Sequence, residues 1–510
     1  MVWSLVIVLI ILNWVVLLKL FTLSQAENYK IRLKNKQIKK YWIKLALVSV
    51  PIFIGLFLLK FLPALAIIEG VYIIIIIFWL GKYLNYRTKL KFTYRATISY
   101  IISGYIPTLI SIILLFFVNS RIVLFGFLFG YFAILPLYQS LVFTIINPIF
   151  IRNNKRFINK NITKLNKMQV IKIAITGSFG KTSCKNILKQ ILAQKFKVYA
   201  TPSNYNTPMG IALSIENMPE DTQIFIMEMG ARNVGDIDEL CNLFTPDYGI
   251  ITGVSDQHLE IFKSIENIYN EKFELAKHID DNGLCVFNGN NRYTLKMYKN
   301  CVCPRAIIRL NKFADYYAKN IKLGSFGSKF EIYIKNSILG CQTILLGRHN
   351  IQNVLMCVAI AKQLCLENNE IIDGIKSLKF VPHRLQLSRS NNINIIDDSY
   401  NSNMIGIKYA IECLAKFDTR KVVLSQGVVE TGVNQKSDNV EIGKLLGRVS
   451  DIIILVGINT NYLLEGIKSY DINKVVHCYA SLDNAKKELP NILEAGDTFL
   501  IQNDLPDTYN

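Results

Sequence analysis

The stretch Ile171-Lys172-Ile173-Ala174-Ile175-Thr176 runs straight into Gly177-Ser178-Phe179-Gly180-Lys181-Thr182 and then into an amphipathic segment. A strand that ends in such a loop and feeds a helix is a phosphate cradle. Gly177 and Gly180 let backbone N–H groups turn toward an anion, Lys181 reaches terminal phosphates, and the Thr182 hydroxyl suits Mg²⁺. Position 175, where a longer loop of this kind carries glycine, is Ile175, so the spacing is the compact Gly-x-x-Gly-Lys-Thr form. ATP or GTP is the ligand class. The loop also constrains the fold, because functional groups of an open parallel sheet gather beyond the carboxyl ends of its strands.

The downstream sequence supplies that sheet. Ile/Val-rich runs at 171–176, 222–227, 248–252 and 283–287 alternate with helical stretches, which predicts a parallel sheet covered by helices on both faces. A second alternation at 393–396, 421–425, 451–456 and 498–501 predicts a smaller α/β domain. Pro382-His383-Arg384 lies between them as a hinge, since proline disfavours helix at the residue before it. Glu228 follows the second run and His258 comes six residues after Thr252, so both fall beside the phosphate loop. A carboxylate and an imidazole there are Mg²⁺ contacts; a helix-cap neighbour and a structural histidine are the other readings of these two residues.

The first 150 residues read differently. Apolar runs at 2–23, 45–62, 64–84, 100–118 and 122–150 are each about long enough to cross ~30 Å of hydrocarbon, which predicts five membrane spans. The second and third, separated by Lys60-Phe61-Leu62-Pro63, form a helical hairpin or, alternatively, one re-entrant segment. Basic residues crowd 30–44, 82–95 and 152–167, which puts the N-terminus outside and everything after residue 150 in the cytoplasm. The net charge of +20 resides entirely in the first 172 residues, the remainder being neutral. That location speaks for a membrane partner and against nucleic acid. All ten cysteines follow residue 183, on the side expected to be reducing, and Cys301 and Cys303 read as buried small hydrophobes.

Eight short motifs in one order resemble the Mur ligase family, the ATP-dependent amide ligases of cell-wall peptide assembly. They are the phosphate loop at 176–182; Asn204-Tyr205-Asn206 followed by Gly210; Met227-Glu228-Met229-Gly230-Ala231; His258-Leu259-Glu260; Lys272 within Glu271-Lys272-Phe273-Glu274; Gly347-Arg348-His349-Asn350 with Asn353; His383-Arg384; and Asp397-Asp398-Ser399-Tyr400-Asn401 with Asn403. The likeness spans about residues 170–460.

The resemblance implies a role for each position. Gly177, Ser178, Gly180, Lys181, Thr182, Ser183, Asn350, Asn353, Arg384 and Asp398 would hold ATP; Thr182, Glu228, His258 and Lys272 would serve Mg²⁺, with Lys272 carbamylated. Asn204, Asn206, Tyr400, Asn401 and Asn403 would contact substrate, and Lys181, Lys272, His383 and Arg384 would act in catalysis. The implied reaction phosphorylates a carboxylate with ATP and lets an amine attack the acyl phosphate; the nearest pattern is the addition of D-alanyl-D-alanine to a muramoyl tripeptide during peptidoglycan synthesis. A ligase of another envelope polymer or lipid-linked substrate, similar to poly-γ-glutamate synthetase, and an ATP-dependent scaffold or transporter are the alternatives.

The expected architecture is therefore a helical membrane region at 1–150, a basic linker at 151–169, a P-loop ATP-binding α/β domain at 170–381 and a Rossmann-like α/β domain at 382–510. It corresponds to an integral protein of the bacterial plasma membrane with cytoplasmic ligase domains. The sequence departs from the family at Met404, where proline is usual, and at 496–506, which lacks a Lys-Gly-Ser pattern.

Overall fold

The computed structural model describes residues 92–117, 121–255, 259–400, 403–429, 431 and 434–502, together with Trp14, Leu17, Leu18 and Phe21. The chain divides into two compact units, Met1–Arg156 and Phe157–Asn510.

In the first unit, helix Tyr94–Phe117 is followed by helix Arg121–Met168, which continues into the second unit. Among the described residues no helix is long and apolar enough to cross a membrane. This corrects the expectation of an integral membrane protein with ligase domains hung on five spans. The expected spans at 2–23, 45–62 and 64–84 lie almost wholly outside the described residues. Where the fourth and fifth are described, part of the apolar surface is buried and part, including Ile101, Leu109, Leu141 and Ile145, is exposed. Ala96, Val142, Phe143 and Ile146 are buried with Leu17 and Phe21, and Phe21 packs edge-on against Tyr100 and Phe143 at centroid distances of 5.4 Å. Polar groups share this interior: Ser99, Ser103 and Gln139 are buried, and the Arg95 guanidinium donates to Asn147 at 2.6 Å. Apolar composition alone does not separate helix-on-helix burial from exposure to hydrocarbon. Residues 151–168, expected as a linker, are helical, and Lys164 Nζ donates to the carbonyls of Ile215 and Glu216 at 2.9 and 3.0 Å.

The second unit holds two sheets. The larger has the order β2-β3-β1-β4-β5-β6-β7-β8-β9, formed by β1 (Ile171–Thr176), β2 (Val198–Ala200), β3 (Ile224–Glu228), β4 (Tyr248–Ile251), β5 (Leu284–Asn288), β6 (Arg305–Leu310), β7 (Tyr316–Gly324), β8 (Gly327–Ile334) and β9 (Ser337–Thr343). Pairing is parallel from β2 through β7 and antiparallel from β7 to β9. Successive residues of β1 enter different cores, Ile173 and Ile175 on one face and Ala174 on the other. A strand covered on both sides needs apolar residues at consecutive positions, which is why this part of the sheet reads so plainly in the sequence. Helix Arg348–Gln363, with an uninterrupted buried run from Asn350 to Ala361, fills one face beside helix Lys181–Leu192.

The smaller sheet has the order β10-β11-β15-β12-β13-β14, from β10 (Gln386–Ser390), β11 (Ile393–Asp398), β12 (Lys421–Ser425), β13 (Ile452–Val456), β14 (Val475–Tyr479) and β15 (Thr498–Gln502). It is parallel apart from β10. Its helices Gln435–Val449 and Thr460–Tyr470 meet through glycine. A Cβ built on Gly443 would lie 2.1 Å from the Leu463 carbonyl oxygen, and one on Gly466 would lie 2.0 Å from that of Val440. A helical Gly→Ala change ordinarily gains about 0.5–1 kcal/mol. Here the clash dominates, so Gly466→Ala should lower the unfolding free energy by about 1–3 kcal/mol in urea titrations; an unchanged or raised midpoint would mean that the helices separate without cost.

Candidate active site

β1 lies between β3 and β4, and the chain turns to opposite sides of it after successive crossovers. A crevice opens at such a point beyond the carboxyl ends of the strands. The phosphate loop follows β1, Glu228 ends β3, and Thr252 follows β4, so the three arrive at one place.

The loop is held from below. Ser178 N donates to the Gly253 carbonyl at 2.8 Å, and the Thr252 hydroxyl bonds the carbonyls of Phe179 and Thr176. Gly177 and Gly180 have φ of 144° and 77°. A Cβ at Gly177 would also stand 2.1 Å from Thr252 Oγ1, so backbone conformation and space both demand glycine there. Lys181 Nζ donates to the Gly177 carbonyl at 2.6 Å, folding its ammonium back over the loop. Burial lowers its pKa from the ordinary lysine value; Glu228 opposes this, and Arg384 adds to it.

Glu228 is 2 % exposed and collects three donors from two segments, the helix Lys181–Leu192 and the loop at Asn206. Thr182 Oγ1 donates to Oε2 at 2.9 Å, Asn206 Nδ2 donates to Oε1 at 3.3 Å, and Lys185 Nζ lies 3.0 Å from Oε2. Burial alone would raise the carboxyl pKa, but the Lys185 and Lys181 ammoniums and the Lys185 and Thr182 hydrogen bonds bring it below the ordinary value. An ionised carboxylate beside a hydroxyl and an amide is a donor set that fits a hard cation such as Mg²⁺.

Lys272, buried at 4 % exposure, has a pKa lowered to about 7 by desolvation, with Lys181 acting in the same sense and Glu271 and Asp236 opposing. Its neighbour Glu271 accepts from Gly235 N and Ile237 N at 2.7 Å each, fastening helix Ile265–Lys277 to the start of helix Asp236–Phe244. Lys272 thus sits in the protein interior and not on a solvated helix face.

On the other side of the loop, Asn353 Oδ1 comes within 3.2 Å of where a Cβ of Gly180 would stand. Asn350 Nδ2 donates to the Leu346 carbonyl at 2.9 Å, and the two asparagines are bonded at 3.5 Å. From the smaller sheet, the Arg384 guanidinium lies 4.3 Å from the Tyr400 ring centroid and within electrostatic reach of Asp398 and Glu228. Leu385 N donates to Asp398 Oδ1 at 3.2 Å. The expected pair His383-Arg384 therefore splits: Arg384 comes within electrostatic reach of Lys181, while His383 Nδ1 bonds Asp397 Oδ2 at 2.7 Å on an exposed turn. Asn403, expected at substrate, caps helix Met404–Leu414 by accepting from Gly406 N at 2.8 Å. Ser183 sits in the first turn of helix Lys181–Leu192, Asn204 is exposed, and His258 and Asn401 lie outside the described residues.

Residues 175–361 match the Mur ligase middle domain, and residues 383–502 match the Mur ligase glutamate ligase domain. The chain belongs to the Mur ligase family. As a Mur ligase it is an ATP-dependent amide-forming enzyme that works with ATP and Mg²⁺. It is similar to the UDP-N-acetylmuramoyl-tripeptide–D-alanyl-D-alanine ligases of Buchnera aphidicola, with 29 % identity over 60 % of this chain and 70 % of that protein, and of Bacillus subtilis, with 25 % identity over 65 % and 72 %. Among solved structures, MurF from Acinetobacter baumannii superposes with a TM-score of 0.63 at 22 % identity, covering 69 % of this chain and 77 % of that one. MurF from Thermotoga maritima in complex with ADP gives 0.61 at 24 % identity, covering 69 % and 80 %. These two likenesses concern the fold.

Sequence reasoning missed Lys185 and Thr252. Lys185 had a signal, standing four residues after Lys181 on the same helical face; Thr252 had none beyond its place at a strand end. The Lys272 environment gives a pH signature. The unfolded chain, with lysine near its usual value, binds more protons than the folded one between about pH 7 and 10.5. Stability from this residue therefore rises across that window. The unfolding free energy of wild type relative to Lys272→Met should climb by up to about 1.4 kcal/mol per pH unit from 7 to 10, and a flat difference would show an ordinary lysine.

Proposed function

We propose that this Mur ligase joins D-alanyl-D-alanine to a UDP-N-acetylmuramoyl-tripeptide through an acyl phosphate, with residues 170–381 as the ATP-binding unit and 382–510 as the unit that closes on the nucleotide. The observation that carries this reading is the convergence of Lys181, Thr182 and Glu228 at one sheet edge in a chain whose curated relatives bear that activity in their names.

A carboxylate must gain a leaving group before an amine displaces it. In our reading the phosphate-loop amides and Lys181 orient the terminal phosphate of ATP for attack by the substrate carboxylate, forming the acyl phosphate and releasing ADP. Thr182 and Glu228 would hold Mg²⁺, which when bound offsets phosphate charge. Arg384, supplied from the second sheet, adds positive charge where negative charge develops and shuts out water as the units close. Asn350 and Asn353 serve the adenine side, and Asn204, Asn206 and Tyr400 face the peptide substrate. The dipeptide amine then attacks the acyl carbon, the tetrahedral intermediate collapses, and phosphate leaves as the amide forms.

Lys272 takes CO₂ in this reading. With a pKa of about 7, a large share of the amine is neutral at physiological pH. Its lone pair bonds the carbon of CO₂ and the nitrogen releases a proton, replacing a cation near Lys181 with an anion.

Incubation with ATP, Mg²⁺, UDP-N-acetylmuramoyl-tripeptide and D-alanyl-D-alanine should give the pentapeptide by mass spectrometry, matched one for one by phosphate. Phosphate release without that product would overturn the substrate assignment. Arg384→Ala should lower kcat by on the order of 10³-fold with little change in ATP binding; a loss confined to ATP binding would instead make Arg384 a ground-state contact.

A further inference from the structure

Lys185 is 1 % exposed, and its ammonium touches two segments, the end of β3 and the loop that follows β2. It donates to the Ser203 carbonyl at 2.6 Å and lies 3.0 Å from Glu228 Oε2. Ser203 belongs to the loop that carries Asn204 and Asn206, and it has φ of 44°, a left-handed conformation that non-glycine residues adopt only when their surroundings impose it. The same loop is tied at its far end, where the Asn206 carbonyl accepts from Gly230 N at 3.0 Å and Asn206 Nδ2 reaches Glu228 Oε1 at 3.3 Å. Thus Glu228 receives Asn206 on one oxygen and Lys185, beside Thr182, on the other, and a further N–H of Lys185 goes to the Ser203 carbonyl. No neutral side chain of similar length supplies both a charge for the carboxylate and a donor for the carbonyl.

We infer that Lys185 is a positioning residue that sets the conformation of the 201–207 loop before any substrate arrives. Through it the phosphate helix, the metal-side carboxylate and the asparagine loop form one preorganised unit. A lysine confined to neutralising Glu228 would not need the Ser203 carbonyl. This assignment rests on the proposed substrate role of the asparagine loop only for its kinetic consequence; its structural consequence stands apart from catalysis.

The test is hydrogen exchange in the nucleotide-free, substrate-free protein. Thr201 N and Tyr205 N are bonded to the carbonyls of Ile226 and Pro202, and with Gly230 N they report directly on the loop. Lys185→Met should raise exchange at these amides about tenfold or more while leaving the β12 and β13 amides unchanged. Wild-type exchange at 201–207 in a folded Lys185→Met protein would overturn the inference. Should that variant not fold, Lys185→Met/Glu228→Gln removes both charges, and the loop should still exchange fast; protection equal to wild type in the double variant would equally sink the idea. In steady-state assays, Lys185→Met should raise the KM for the UDP-linked peptide about tenfold more than the KM for ATP, whereas equal rises would count against a loop-positioning role. If wild-type protein makes no pentapeptide, the substrate assignment fails while the exchange result still decides the role of Lys185.

Discussion

A buried carboxylate organises this molecule. Glu228 sits at the end of β3 with almost no access to water, and an isolated charge there would cost several kcal/mol. It remains ionised because the chain surrounds it with an ammonium and a hydroxyl from the phosphate helix and an amide from the asparagine loop. Removing any one partner leaves the others with an under-compensated charge. Meeting that electrostatic demand fixes the phosphate helix and the asparagine loop relative to the sheet, and the site inherits its geometry from it.

A second layer of order comes from crowding. The phosphate loop has no room for a side chain at Gly177 because the Thr252 hydroxyl occupies that space. Farther out, the two sheets touch through stacked and edge-on rings. His349 stacks on Tyr409 with centroids 5.1 Å apart, and Phe326, at the β7–β8 turn, meets Phe417 edge-on at 5.9 Å. Burial pushes the His349 imidazole down to about 4, so this contact is between neutral rings at physiological pH. These contacts join segments that flank the two sheets. They hold the smaller sheet near enough for Arg384 to act on Lys181 across the gap.

Much of this was legible beforehand wherever one local pattern sufficed. The strands buried on both faces, β1, β3, β4 and β5, announced themselves as short Ile/Val-rich runs. The antiparallel strands β7 to β9 did not, because they are half exposed and carry Lys319, Lys322, Lys329 and Glu331 in place of a continuous Ile/Val run, leaving only a short alternation to mark them. Asn403 shows the limit for site residues: an asparagine in a motif is equally suited to substrate and to a helix cap, and it caps. In the N-terminal unit composition does not distinguish the buried Phe143 and Ile146 from the exposed Leu141 and Ile145 of the same helix.

The sequence by itself determined that a nucleotide phosphate is held between a strand and a helix, since Gly177, Gly180, Lys181 and Thr182 are close neighbours in the chain and their backbone requirements are local. It also determined the two α/β alternations, which follow from hydrophobic periodicity. Only the tertiary structure decided that Lys185 bridges Ser203 to Glu228, that Arg384 and not His383 comes within electrostatic reach of Lys181, and that Lys272 is a buried amine near neutrality. Those outcomes depend on desolvation and on charges brought together from distant parts of the chain, quantities that exist only once the sheets have packed.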